Sequence, residues 1–593
     1  MGQEKDGQEN AAEETYERAL ERDPGYVPAL VKQAWRRYRA ADLRGAESSV
    51  ARALARNAFD PQASYAAGVI YRAAGRLTLA ADAFWAAIHY GGPPAPAFAQ
   101  LGELAIQQKD YQRAAPLLWR ALSYNPGDAL VQTDLAVAFR LGGNPERALR
   151  VVAEALDRMP LLPFALAERW RTANTGASGA PSAETAAAAL YSTHDVQDYL
   201  EVAAWYRGLG DYSSADAVLE QALKGLPASA MSPLLYYYLA SNARARQDAT
   251  TAQSFATQAA AASYDKVFPQ RLSDALVLAE AIVDNPLDAH AQYYLGNFLF
   301  AHGRYKDAAK LWFQALGEGF DYSVLDRNLG VYAWRIKGDR KTAARFYAKA
   351  IQLAPADYRL YVDLDEIYAQ LGDTAQRLEL FARAPEAVVN RETVRVRRSL
   401  LLVEQRHYDQ ALSLLMGHHF KPWEGGEIVR RVYVLANLEK GKSSLRAGSA
   451  AEAELAFRRA LEYPPNLGVG QPDKPNDVDV LYWLGEALAA GGKPDAARDA
   501  WRQAPAEGKD SDVAVRLYRA LAMRRLGQSR QAERILDGLA GSAAKPKPGA
   551  YDLYIAGLAE RARHHEASAR ADFKRAIEAD PSFWLARLEL SSI

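Results

Sequence analysis

Residues 95–128 read APAFAQLGELAIQQKDYQRAAPLLWRALSYNPGD, and the frame they set recurs along most of the chain. The stretch holds a Leu101-Gly102 pair, an aromatic at Tyr111, Ala114, a bulky Leu118, an Ala121-Leu122 pair and Pro126. One period on, the frame returns as Leu135-Ala136, Ala148, Val152, Ala155-Leu156 and Pro160; one period back it is Ala67-Gly68, Leu77, Ala80, Phe84 and Ala87-Ile88. The period is 34 residues, a length that signals a repeated helix pair. Each position has a packing reason. Gly68, Gly102, Gly296, Gly330 and Gly485 leave room on a first helix for close approach of a second, and Ala46, Ala80, Ala114, Ala148, Ala215, Ala252 and Ala308 do the same on the second. The bulky position, held by Phe84, Leu118, Leu219, Trp312, Phe457, Trp501 and Phe573, is expected to wedge into the next unit. Pro24, Pro126, Pro160, Pro227, Pro355 and Pro581 close the second helix, because proline lacks an N–H and disfavours helix in the residue before it.

These residues resemble the tetratricopeptide repeat, followed over about fifteen complete or degenerate units with the period as ruler. The resemblance implies an all-α, right-handed α-solenoid of helical hairpins. Energetics demand stacking. Ordering one repeat at ~1.5 kcal/mol per residue costs about 50 kcal/mol, and offsetting that takes about 2000 Å² of apolar burial, more than a lone hairpin supplies.

Composition narrows the function classes. The chain has 593 residues, 72 Lys+Arg against 72 Asp+Glu, and no cysteine. Zero net charge removes the diffuse pull toward nucleic acid or an anionic membrane, and neither is expected as a partner. Without cysteine there is no disulfide, thiolate nucleophile, Cys-ligated zinc or iron–sulfur cluster. The opening MGQEKDGQEN lacks the basic start and apolar run of a secretory signal, so the expected location is the cytoplasm.

The expected organisation is a disordered polar tail at 1–10, a first sub-array at 11–171, an Ala/Gly/Ser-rich joint at 172–195 and a second sub-array at 196–593. The second is interrupted by loops at 417–428 (GHHFKPWEGGEI) and 463–478 (YPPNLGVGQPDKPNDV). Residues 265–286 read as one longer helix ending at Asn285-Pro286. Residues 11–24 match only the second helix of a repeat, with Tyr16, Ala19-Leu20 and Pro24 in place. A solenoid end normally carries a polar cap, so the expectation is a chain that pairs with, or once continued from, an N-terminal part.

From about Asp284 to Ala504 the chain also resembles the repeat region of a bacterial family in which a β-sandwich domain of unknown function precedes a long tetratricopeptide array. The residues that carry this are Tyr294-Leu295-Gly296-Asn297, Arg327-Asn328-Leu329-Gly330, Phe420 to Glu427 and Tyr463 to Gly470. The β domain of that family is similar to sugar-binding sandwiches, which implies a carbohydrate-related context. No alternating, strand-rich segment occurs in this chain, so such a domain would be a separately encoded partner.

No enzyme motif is recognisable. Glu424 and Glu427 flank two glycines beside Trp423, as a sugar-cleaving carboxylate pair would, but acidic residues at a Gly-Gly helix start equally suit the helix dipole. The pairs His418-His419 and His564-His565 are adjacent, and metal ligands need spacing that puts them on one face. Gly441-Lys442-Ser443 ends like a phosphate loop, yet Ala436 stands where the upstream glycine is required. Neither cofactor nor metal is expected. Binding is the better reading. Tyr237, Tyr293, Asn297, Arg327, Asn328, Trp334, Arg335, Tyr361, Tyr482 and Glu486 fall at positions that line the concave groove in this repeat class. Rings with amides and guanidinium suit a peptide or a glycan. Tyr293, Asn297, Asn328 and Arg359 lie near the carboxylate-clamp positions of the class, but Asp363 would repel an acidic tail. The expected function is a non-enzymatic scaffold that holds a protein or peptide partner in its groove. The alternative is an accessory or remnant part of a carbohydrate-active or carbohydrate-binding protein that uses Trp423, Glu424, Glu427, Tyr463 and Asn466.

Overall fold

The computed structural model describes residues 9–175, 195–422, 427–473, 475–504 and 512–592. Most of the expected tail and joint, together with Trp423 and Glu424, lies outside them. Among the described residues there are 33 α-helices and no strand, so the α-solenoid class holds. The chain divides into two compact units, Met1–Phe320 and Asp321–Ile593.

Local chemistry sets the helix starts. Asp110 accepts a hydrogen bond from the Arg113 amide (3.1 Å) to begin Tyr111–Tyr124, and Asp128 accepts from the Val131 amide (3.2 Å) to begin Ala129–Leu141. Each satisfies a backbone donor that the first turn leaves without a partner. The turn inside each hairpin needs one left-handed residue. Gly75 supplies it at φ 75°, whereas Lys109 adopts φ 63° in the next repeat against its steric preference.

The bulky residue sits against the small residue of its own hairpin, and Phe457 and Trp501 also share one buried cluster with residues of the following unit. A Cβ added to Gly68 would lie 2.5 Å from the Phe84 ring, to Gly102 2.5 Å from Leu118, to Gly296 2.5 Å from the Trp312 indole and to Gly557 2.6 Å from Phe573. Gly441 meets Phe457 in the same way (2.5 Å), so the string that ended like a phosphate loop is a packing glycine. Where the first helix carries alanine instead, the partner is an aliphatic Val or Leu and never a ring: Ala34 with Val50, Ala136 with Val152, Ala203 with Leu219 and Ala520 with Leu536, all buried, as a close-packed interior requires.

In the first unit, residues on both sides of the expected joint share one polar network. Arg140 pairs with Glu168 (2.7 Å) and Asp211 (2.8 Å), the Tyr206 hydroxyl donates to Glu168 (2.9 Å), and the Trp205 indole donates to Asp134 (2.9 Å). The division into compact units falls at 320–321. The expected helix over 265–286 begins only at Leu272. Pro269 disfavours helix in Phe268, Lys266 is left-handed at φ 59°, and Asp274 accepts from the amides of Gln270 (2.8 Å) and Arg271 (3.0 Å).

In the second unit the two inserted loops dock on each other. Asn466 donates its side-chain amide to the carbonyls of Leu415 (3.2 Å) and His418 (2.9 Å), while its own carbonyl accepts from the Phe420 amide (2.8 Å). Phe420 and Leu467 are buried beside Val429 and Tyr433. The helix Trp584–Leu590 is held by Glu589, which meets Lys442 (2.7 Å) and Arg561. Burial alone would raise the Glu589 carboxyl, but Lys442 and Arg561 bring it down to about 2.

Candidate functional site

Most residues expected to face the groove are committed to packing. In the first unit Tyr237 is buried and donates to both Asp288 carboxylate oxygens (3.0 Å each). Burial pushes this phenol far above its usual range, with Asp288 adding to the effect. Tyr293 is buried 5.5 Å from both the Tyr294 and Phe320 rings, and half-buried Asn297 accepts from the Trp312 indole (3.2 Å).

In the second unit buried Trp334 and Tyr361 and half-buried Glu486 are likewise occupied. Trp334 donates to Gln370 (2.9 Å), Tyr361 donates to the Pro355 carbonyl (3.1 Å), and Glu486 accepts from Arg525 (2.7 Å). Arg335 is exposed, and Arg327 and Asn328 are half-buried. The Arg335 guanidinium is exposed 3.5 Å from the Trp334 ring centroid. Arg327 stands 3.9 Å from Asp363, which also accepts from the Tyr347 hydroxyl (2.9 Å). Arg359 is held by Asp357 (2.7 Å), away from the role a clamp would give it.

Of the loop candidates, Trp423 and Glu424 lie outside the described residues. Glu427 is exposed at the start of Glu427–Arg446, where a carboxylate suits the helix dipole. The Tyr463 ring is covered by Arg430 at 3.6 Å, and Arg430 is itself paired with Asp477 (3.0 Å). With the Asn466 amide engaged by backbone carbonyls, these two residues build the loop junction.

Among the described residues, two clefts include a residue expected to line the groove, Tyr237 in one and Tyr482 in the other. The first, of about 410 Å³, opens between Pro233–Ala245, Ala249–Ala261 and Leu272–Asp284 in the first unit. Its cause is an absent wedge. Ala240 and Ala256 stand where other hairpins pair a small residue with a bulky one, and both line the cleft. Tyr237 and Ser241 form part of the floor, and Arg244, paired with Asp284 and 3.6 Å from Glu280, adds charge. The signal was legible: every other residue four places after the second-helix alanine is larger from Val50 through Phe84, Leu118, Val152 and Leu219, and position 256 is alanine.

The second cleft, of about 130 Å³, belongs to the second unit and is lined only by first helices. Tyr482 and Trp483 come from Val478–Ala490, Leu517, Tyr518, Leu521 and Arg524 from Val513–Arg525, and Leu558, Arg561 and Ala562 from Ala550–Ala562. Burial pushes the Tyr482 phenol up to about 12, with Glu486 reinforcing the shift, so the hydroxyl is neutral at physiological pH. At that volume the cleft is well below the roughly 300 to 1,000 Å³ of small-molecule pockets. It is sized for a single side chain. Among the described residues no helix is long and apolar enough to cross a membrane.

Family models agree with this architecture. One tetratricopeptide repeat family model matches residues 105–162, and another matches residues 31–96, 270–320 and 434–512. Similar solved structures include YrrB, described as a TPR protein with an unusual peptide-binding site, at 19% identity over 34% of this chain and 95% of that one, TM-score 0.26. PilF of Pseudomonas aeruginosa is similar at 16% identity over 40% of this chain and 91% of that one, TM-score 0.24. The human IFIT1 dimer with PPP-AAAA is similar at 14% identity over 78% of this chain and 93% of that one, TM-score 0.22. The chain carries tetratricopeptide repeats, stacked as an all-helical solenoid.

Proposed function

We propose that the protein is a non-catalytic interaction scaffold whose first-helix face holds a peptide segment of a protein partner. The observation that carries this reading is the cleft of about 130 Å³ lined by three successive first helices. Its walls are Tyr482, Trp483, Leu517, Leu521 and Leu558, with Arg524 and Arg561 among them. Such a cleft takes one apolar anchor from a peptide, and recognition concentrated in a few buried anchors is how short interfaces gain affinity. Rigid aromatic walls add contact area at little conformational cost.

Selection from a displayed random-peptide library tests the reading. Enriched peptides should share an apolar anchor and bind the wild-type chain, and Leu521→Arg, which puts a long charged side chain into the cleft, should weaken them at least tenfold with helicity unchanged. Peptides that bind Leu521→Arg as tightly as wild type would refute it. In the carbohydrate alternative, Trp423→Ala would abolish glycan binding; Tyr463 and Asn466 already have the intramolecular partners described above.

A further inference from the structure

A second surface lies on the first unit, away from the first-helix face. The second helix Leu77–His89 and the following Tyr90 present Trp85 and Tyr90, and Tyr111–Tyr124 presents Trp119 and Tyr124 at equivalent positions one repeat later. All four rings are exposed, as is Phe59. The rings are not scattered. Phe59 meets Tyr90 edge-on at 5.1 Å, Trp85 meets Phe98 edge-on at 5.7 Å, and Phe98 stacks on Tyr124 at 6.0 Å. Phe98 is buried and forms the floor between two exposed rings, so Trp85 and Tyr124 stand within about 12 Å of each other. The Arg120 guanidinium lies 5.4 Å from the Tyr124 ring and 6.0 Å from Phe98.

We propose that this aromatic cradle binds an extended, proline-rich peptide that carries acidic residues. Three arguments select that occupant. The first is spacing. Stacked helical layers lie roughly 8 to 10 Å apart, and one three-residue turn of polyproline II advances about 9 Å. A prolyl ridge therefore meets one ring set per turn, with prolines packed on the exposed Trp85 and Tyr124 rings, which is the physics of aromatic grooves that read this helix.

The second is area. Phe59, Trp85, Tyr90, Trp119 and Tyr124 are 37 to 66% exposed, which at roughly 200 Å² per aromatic side chain is about 500 Å². That is within the roughly 300–600 Å² of a monomer's largest apolar patch, which is often functional, and falls short of the roughly 800 Å² per partner of a stable dimer, so a peptide fits better than a second copy. The third is charge. Tyr111–Tyr124 carries exposed Arg113 and Arg120 and no acid, against one exposed acid, Asp82, on Leu77–His89, so the balance of charge complements carboxylates on the peptide.

The test is fluorescence anisotropy with the full chain and labelled (Pro-Pro-Glu)4, against (Gly-Ser-Glu)4, which has the same charge without the preformed helix. Saturable binding at least tenfold tighter for the proline peptide is expected. Trp85→Ala with Tyr124→Ala should weaken it at least tenfold with unchanged circular dichroism, since both rings are exposed. Arg120→Glu removes no ring and gives an independent readout: weaker (Pro-Pro-Glu)4 and tighter (Pro-Pro-Lys)4. Leu521→Arg should leave this binding unchanged, which separates the cradle from the first-helix cleft. Equal affinity for the two peptides, or undiminished binding by both ring and Arg120 variants, overturns the proposal. So does a dimer in sedimentation velocity that the ring variant dissociates.

Discussion

Replacing Gly557 by alanine isolates the contact on which the hairpin architecture rests. Two effects oppose each other. Alanine in a helix interior gains about 0.8–1 kcal/mol over glycine. Against that, the new Cβ would lie 2.6 Å from Phe573 Cε1 and 2.8 Å from its Cδ1. Phe573 is fully buried among Leu536, Tyr554 and Leu558 and has nowhere to turn. Forcing a methyl into such a core costs about 1–3 kcal/mol, so the clash wins and the net destabilisation is about 0.5–2 kcal/mol. Gly538, in the neighbouring hairpin of the same unit, is the control: it is helical and nothing lies within 4 Å of its added Cβ. Gly538→Ala should be neutral or stabilising by up to about 1 kcal/mol. Urea unfolding followed by circular dichroism reads both. In a double-mutant cycle, Phe573→Leu should recover at least about 0.5 kcal/mol of the Gly557→Ala loss. Gly557→Ala matching or exceeding Gly538→Ala in stability would refute the packing argument.

Four further outcomes follow from particular contacts. Ala256→Leu restores the missing wedge of the 410 Å³ cleft and should stabilise the first unit by about 1–2 kcal/mol in thermal unfolding. Asn466→Ala frees the carbonyls of Leu415 and His418 and should cost about 1–3 kcal/mol, with faster proteolysis at 417–422 and 463–473. Burial raises the Asp479 carboxyl from 3.8 to about 6, the nearby Asp477 adding to the rise. The folded state thus binds more protons than the unfolded one, and stability falls as pH rises through that window. Asp479→Asn should therefore stabilise by about 1–2 kcal/mol at pH 7.5, discounted for partial exposure, and change little at pH 3.5. Glu589 runs the other way, because its folded value of about 2 lies below 4.5. Its contribution is present above pH 4.5 and lost on acidification, and Glu589→Gln should remove that dependence while destabilising by about 3–5 kcal/mol at neutral pH, since Lys442 is left buried beside a neutral amide.

Much of the fold could be read from the chain because a repeated hairpin writes its packing rule many times over. Gly102 and Leu118 look arbitrary alone, but in register with Gly68 and Phe84 they define a helix pair. What the period could not supply was the second partner of each bulky side chain: Phe84 packs on Gly68 of its own hairpin, whereas the spacing pointed only to the next unit. The groove residues were harder for a related reason. Tyr237 occupies a groove-like position, yet its hydroxyl is taken by Asp288, 51 residues on, an aspartate that also caps Ala289–Ala301. A side chain that serves as a ligand platform and one that serves as a buried strut have the same local sequence; burial separates them. The first cleft escaped notice because its signal is an absence, the small Ala256 where a wedge belongs. The helix expected over 265–286 failed at Pro269, whose effect on the preceding residue outweighed the apolar pattern.

Hydrogen exchange with mass spectrometry on the full chain, with and without a library-selected peptide, tests the scaffold reading most directly. Added protection should appear on the first helices Val478–Ala490, Val513–Arg525 and Ala550–Ala562 and be lost in Leu521→Arg. Protection confined to the second helices Pro494–Gln503, Ser529–Ala540 and Glu566–Ala579, or none on either set, would contradict it.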